Sequence, residues 1–131
     1  MKESESVEMY LETIYVLQKR NPYVRAIDIA EELGYSKPSV SIAIKKLKEH
    51  GYIADSKTGH IILSEKGAKL AGSTYEKHQV LKDMFIAIGA DPHLAEETAC
   101  RLEHVASAEL IEIIKQSLDH GKLSGHAEQH I

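Results

Sequence analysis

The sequence predicts a mainly α-helical chain, with an N-terminal winged helix-turn-helix and a helical second domain after it. Three features carry that prediction. Apolar residues recur three and four apart over most of the 131 residues, the period of an amphipathic helix. A glycine turn at Gly34 separates two short helical segments, the second opening on the helix-start signature Ser36-Lys37-Pro38. Two short β-type runs joined by a polar loop then follow, the pattern of a wing.

Element by element, Val7, Tyr10, Leu11, Ile14 and Leu17 define a first helix over residues 5–19, which Asn21-Pro22 ends. A second helix is expected from Ala26 to Leu33, with Gly34 as its C-terminal cap. Ser36 is a good N-cap and Pro38 sits in the first turn, where proline costs little, so a third helix runs to about His50. Val40, Ile44 and Leu47 are its inward face, and Gly51 closes it. Strands are expected at 52–54 and 60–63, around a loop containing Lys57-Thr58-Gly59. Ser64 to Gly67 opens a long helix reaching about Ile88 and closed by Gly89. Asp91-Pro92 starts a helix to about Ala106, and Ser107 caps a last one through Leu118. The tail from Gly121 to Ile131 is expected to fray. The domains are then residues 1–70 and 71–131.

Composition, at 43% hydrophobic and 27% charged, is that of a soluble globular protein. No apolar run approaches the roughly 20 residues of a membrane span, and the first residues lack a signal-peptide core. One cysteine excludes an internal disulfide, so a cytoplasmic, reducing location is expected. Charge is unevenly spread. Residues 1–17 carry one Lys and four Glu, residues 18–69 ten Lys/Arg against six Asp/Glu, and residues 70–131 five against ten. The basic stretch coincides with the helix-turn-helix, where phosphates would lie.

In a winged helix-turn-helix the third helix enters the major groove. Its first turn would aim Ser36, Lys37, Pro38, Ser39 and Ser41 at DNA, with Lys45, Lys46 and Lys48 nearer the phosphates. Arg25 would clamp the flanking backbone, and Lys57 and His60 would serve from the wing. The first two turns hold no Arg, Asn or Gln, so bidentate base reading is scarce and affinity is expected to rest on phosphates and DNA shape. In the second half, Cys100, Glu103 and His104 stand three and four apart, offering a thiolate, a carboxylate and an imidazole from one helix. That borderline-soft set suits a divalent transition metal better than magnesium or calcium.

Several motifs in order resemble the diphtheria-toxin-repressor family of metal-dependent repressors. They are Glu8-Met9-Tyr10-Leu11, Asp28-Ile29-Ala30-Glu31, Ser39-Val40-Ser41, Leu63-Ser64-Glu65-Lys66-Gly67, His78, and Ala99-Cys100-Arg101-Leu102-Glu103-His104. The resemblance implies a helical dimerisation domain after the winged helix, an activating metal site of Met9, Cys100, Glu103 and His104, a homodimer, and a palindromic double-stranded operator controlling metal-homeostasis genes. It also implies the family's short form, without the SH3-like domain of its longer members. The iron branch carries the sulfur ligands found here, whereas the manganese branch has carboxylates in their place. Fe(II) is therefore the expected metal, with Mn(II) the alternative. Glu12 and His78 match further family ligands and, with Cys100 and Glu103, would build a second metal site per protomer. Lys82 departs from the pattern where the iron branch has an ancillary carboxylate, and Glu96, one turn before Cys100, would partly replace the missing ligand. The remaining histidines, His50, His93, His120, His126 and His130, are expected at the surface.

Two other classes compete. A metal-dependent hydrolase on the Cys/Glu/His set would need an open coordination position and a general base, and no further Asp/His cluster supplies one. A metal-independent winged-helix adaptor would bind its partner equally well after chelation.

Overall fold

A computed structural model describes residues 2–54 and 56–121, with side chains from residue 5 onward. The expected fraying of the tail, and the placement of His126 and His130, fall outside these residues. The chain divides into two compact units, Met1–Ser73 and Thr74–Ile131.

The first unit contains α1 (Lys2–Arg20), α2 (Ala26–Leu33), α3 (Lys37–Glu49), β1 (Ile53–Ala54), β2 (Ile62–Leu63) and the start of α4 (Glu65–Ala87). The inward stripe of α1, with Tyr10, Leu11, Ile14 and Leu17, packs with Val24, Ile29, Val40, Leu47, Ile53 and Ile61 into one core. Between α2 and α3 the chain reverses at Gly34, whose φ of 72° is the left-handed conformation glycine adopts without strain. Ser36 caps α3 by accepting from the Ser39 N–H.

The ribbon is antiparallel and shorter than expected, pairing Ile53 with Leu63 and Ala54 with Ile62. The ends of both predicted strands are committed elsewhere. The Ile61 N–H donates to the Val24 carbonyl at 2.7 Å, and the Tyr52 N–H to the Leu47 carbonyl at 2.9 Å. Tyr52 also fixes the start of α4, since its carbonyl accepts from the Ser64 N–H at 2.9 Å. Gly67 lies so close that a Cβ on it would stand 2.1 Å from the same carbonyl oxygen.

The second unit holds the rest of α4 with α5 (Pro92–Leu102) and α6 (Ala108–Asp119). Val80, Leu81, Ala99, Ile111 and Ile114 form its core. Asp91 caps α5 by accepting from the His93 and Leu94 N–H groups, and Ser107 caps α6 by accepting from Leu110. α5 stops at Leu102, one turn before the expected end. Ser107 must be extended (ψ 152°) to cap α6, so the chain leaves the helix over residues 103–106. Glu103 is thus the C-cap of α5, and His104 lies in the turn after it.

Candidate metal centre and DNA-facing helix

α4 and α5 face each other with side chains at matching i, i+4 spacing. His78 and Lys82 project from α4, Glu96 and Cys100 from α5. His78 is the hub. Its Nδ1 lies 2.7 Å from Glu103 Oε1 and its Nε2 3.1 Å from the Glu96 carboxylate. Lys82 Nζ holds the same Glu96 carboxylate at 3.2 Å. The ligand atoms of His78, Glu96 and Cys100 all lie within 4.8 Å of one another, close enough to share one ion.

The electrostatics follow from these contacts. Interactions with the Cys100 sulfur and then with Glu103 and Glu96 favour imidazolium against burial, pushing the His78 pKa up to about 11. Burial alone would raise the Glu96 carboxyl, but hydrogen bonds from His78 and Lys82 outweigh it and hold its pKa below the ordinary value. Glu103 is 1% exposed. Its Oε2 has no hydrogen-bond partner among the described residues, although His104 Nε2 stands 3.4 Å away. A buried carboxylate oxygen without a donor costs about 1–3 kcal/mol or more, and a cation bound there removes that cost. The donor chemistry and the orphaned oxygen both fit a divalent transition metal.

The structure thus brings Cys100 together with His78 and Glu96. Glu103 reaches the same His78 from the opposite ring nitrogen, so two of the three residues read from the sequence, Cys100 and Glu103, are organised around a histidine of another helix, and His104 contacts Glu103. Met9 and Glu12 lie on α1 of the first unit, both half-buried, and the Met9 sulfur accepts from the Tyr35 hydroxyl at 3.8 Å. The hub position of His78 was not readable from the chain. The family resemblance named His78 as a ligand beside Cys100 and Glu103, and the i, i+4 pairs His78/Lys82 and Glu96/Cys100 were the further trace of its place between two helices.

On the first unit, Ser36, Lys37, Pro38, Ser39, Ser41, Lys45, Lys46 and Lys48 are exposed along α3, and Lys57 is exposed in the wing. Arg25 caps α2. Its N–H donates to Asp28 Oδ2 at 2.8 Å and its Nε lies 3.8 Å from the same carboxylate. His60 stacks on Tyr23 with ring centroids 4.9 Å apart. Sequence reasoning passed over Ile42, which is 61% exposed in the middle of α3. His50, His93 and His120 are exposed, as expected.

A winged helix-turn-helix with a basic third helix, followed by a helical unit carrying an N/O/S ligand cluster, defines a metal-responsive DNA-binding regulator. Family comparison agrees for both halves. Residues 2–61 match the N-terminal DNA-binding domain of the iron dependent repressors, and residues 64–131 match their metal binding and dimerisation domain. The chain belongs to the iron dependent repressor family. It is 34% identical over 114 residues to the helix-turn-helix-type transcriptional regulator MJ0568 of Methanocaldococcus jannaschii, covering 86% of this chain and 91% of that one. It is 32% identical over 116 residues to the diphtheria toxin repressor of Corynebacterium glutamicum, covering 88% of this chain and 51% of the repressor. Among solved structures, the manganese regulator SloR superposes with a TM-score of 0.74 at 31% identity, over 86% of this chain and 53% of SloR. The chain therefore spans about half the length of that regulator. No helix among the described residues is long and apolar enough to cross a membrane.

Proposed function

We propose that this chain is a metal-activated transcriptional repressor, not an enzyme. It binds a palindromic DNA operator as a cytoplasmic homodimer and controls metal-homeostasis genes. The observation that carries the metal half is the buried Glu103 carboxylate, one oxygen of which lacks a hydrogen-bond donor among the described residues. Residues 1–70 read DNA through α3, Arg25 and Lys57. Residues 71–131 hold the ion through Cys100, Glu103 and His104, with His78 and Glu96 as the candidates for a second ion. The bound ion supplies positive charge to a cluster rich in carboxylate. Cys100 would contribute the soft donor, and His78 would have to lose its proton to serve as a ligand. Metal promotes repression if it binds the DNA-competent state better than the other states, in which case DNA and metal strengthen each other's binding.

We assign Fe(II) as the metal because a thiolate sits among the donors. Mn(II) is the second reading, supported by the likeness to SloR, a manganese regulator. The deciding experiment is anaerobic titration of Fe(II), Mn(II) and Zn(II) into the metal-free protein with operator binding as readout. Wild type is expected to bind its operator only with metal. Cys100→Ala loses iron activation, and Met9→Ala or Glu12→Gln lowers metal affinity. Cys100→Glu with Met9→Asp moves preference toward Mn(II), by exchanging soft ligands for hard ones. Equal operator binding by chelated and metal-loaded wild type refutes the switch. An unchanged metal preference in the double variant refutes the assignment of both sulfur ligands.

A further inference from the structure

Residues on an α-helix step round the axis by about 100°. Val40 and Leu47 of α3 are buried, with Ala43 and Ile44 half-buried beside them. The line directly opposite runs through Pro38, Ile42 and Lys45 and ends at Glu49 near the C-terminus. Ile42 is 61% exposed in the middle of that line. Ser39 and Lys46 flank it on one side, Ser41 and Lys48 on the other, all exposed. The helix therefore presents Ile42 on its outer crest, between two polar and basic shoulders. An exposed β-branched residue adds nothing to packing and is a poorer helix former than alanine. Its place is explained by what the crest meets.

Resting on the reading of α3 as the recognition helix, we propose that Ile42 is a specificity residue that reads thymine by packing on its C5-methyl group. Duplex DNA is the occupant the charge pattern selects, because lysines on both shoulders match phosphates on both walls of a groove. The major groove then offers an apolar side chain one characteristic apolar partner, the methyl of thymine. The lack of Arg, Asn and Gln in the first two turns of α3 leaves the centre of the helix without a bidentate reader. Ile42 supplies sequence discrimination by shape and burial instead. Thr, Ala or Phe does the same in other protein–DNA interfaces.

The test selects operators from a randomised duplex library with the metal-loaded full-length chain. Each thymine of the winning sequence is then replaced by deoxyuridine, which removes only the methyl. Affinities are measured for wild type and for Ile42→Ala, whose exposed position leaves the fold and metal binding intact. At one thymine in each half-site, loss of the methyl is expected to weaken wild type about fourfold, the effect of burying one apolar carbon, and to weaken Ile42→Ala less, since the truncated side chain keeps only its Cβ. Ile42→Val, which keeps one branch of the side chain, should retain most of the discrimination. The proposal is overturned if no thymine shows the effect, or if every thymine that does shows it equally in Ile42→Ala. Failure of the library to enrich any sequence sinks the DNA-reading assignment itself and this inference with it. Enrichment without coupling sinks only the role of Ile42.

Discussion

His78 is the residue in which the chemistry of the second unit is concentrated. Its two ring nitrogens meet two carboxylates, from the end and the middle of α5, and the Cys100 sulfur lies within reach. With the folded pKa pushed up to about 11 from an ordinary 6.5, the metal-free protein carries His78 as imidazolium at neutral pH. That shift adds stability that is fully present below about pH 6.5 and is lost as pH rises through about 11. An ion held by His78 would have to replace this proton, so uptake would release it. Apparent metal affinity of the wild type is therefore expected to keep rising with pH from 7 to 8.5, where an ordinary histidine would already have levelled off. Calorimetry in buffers of different ionisation enthalpy should count about one proton fewer released by His78→Gln than by wild type. An equal proton count in the two proteins means that His78 is not displaced by metal. The candidate ligands Cys100, Glu103 and His104 could be picked from the chain by their close spacing, although α5 ends before Glu103 and His104 lies in the turn after it. Burial of Glu103 and its bond to His78 depend on packing between α4 and α5, which no local pattern encodes.

At the scale of elements, the caps were legible and the strand lengths were not. Ser36, Gly34, Asp91-Pro92 and Ser107 act through backbone groups within a few residues, so their roles follow from residue type and order. The wing strands shorten because Ile61 bonds to Val24, a partner 37 positions away. The end of α5 was misplaced because no Gly or Pro marks it. The need to present Ser107 as a cap decides it instead. Gly67 is a further case. Within a helix, Gly→Ala ordinarily gains up to about 1 kcal/mol, and Gly67 stands in the first turn of α4. Here the new Cβ would meet the Tyr52 carbonyl oxygen at 2.1 Å, and neither the start of α4 nor the end of α3 can yield freely. Gly67→Ala is expected to lose about 1–3 kcal/mol, the range for overpacking, seen as a lower thermal midpoint. Gly72→Ala, whose Cβ would meet only Tyr15 at 3.7 Å, serves as the control and should be neutral or mildly stabilising. Equal midpoints for the two variants would mean that the close approach at Gly67 is relieved at no cost.

At the scale of the whole molecule, the proposed palindromic operator requires a dimer that presents two recognition helices. α6 turns Ile111 and Ile114 into the core of the second unit, with Leu118 packed against them, and leaves Leu110 and Ile113 outside at 48% and 58% exposure. The five apolar residues of this helix, more than one narrow stripe requires, therefore divide into an inner and an outer set. The family's second domain is a metal binding and dimerisation domain, and an outward pair of branched aliphatic side chains on a capped, regular helix suits a self-complementary contact. Ile113→Glu should therefore give a monomer in sedimentation at micromolar concentration. Metal binding, whose proposed ligands all lie outside α6, should persist. The variant should bind a single half-site about as well as wild type does, and lose the extra affinity of the full palindrome, since tethering two readers adds effective concentration without a new DNA contact. A variant that stays dimeric places the self-contact on another surface. A monomer that keeps full affinity for the palindrome removes dimer geometry from the account of operator recognition.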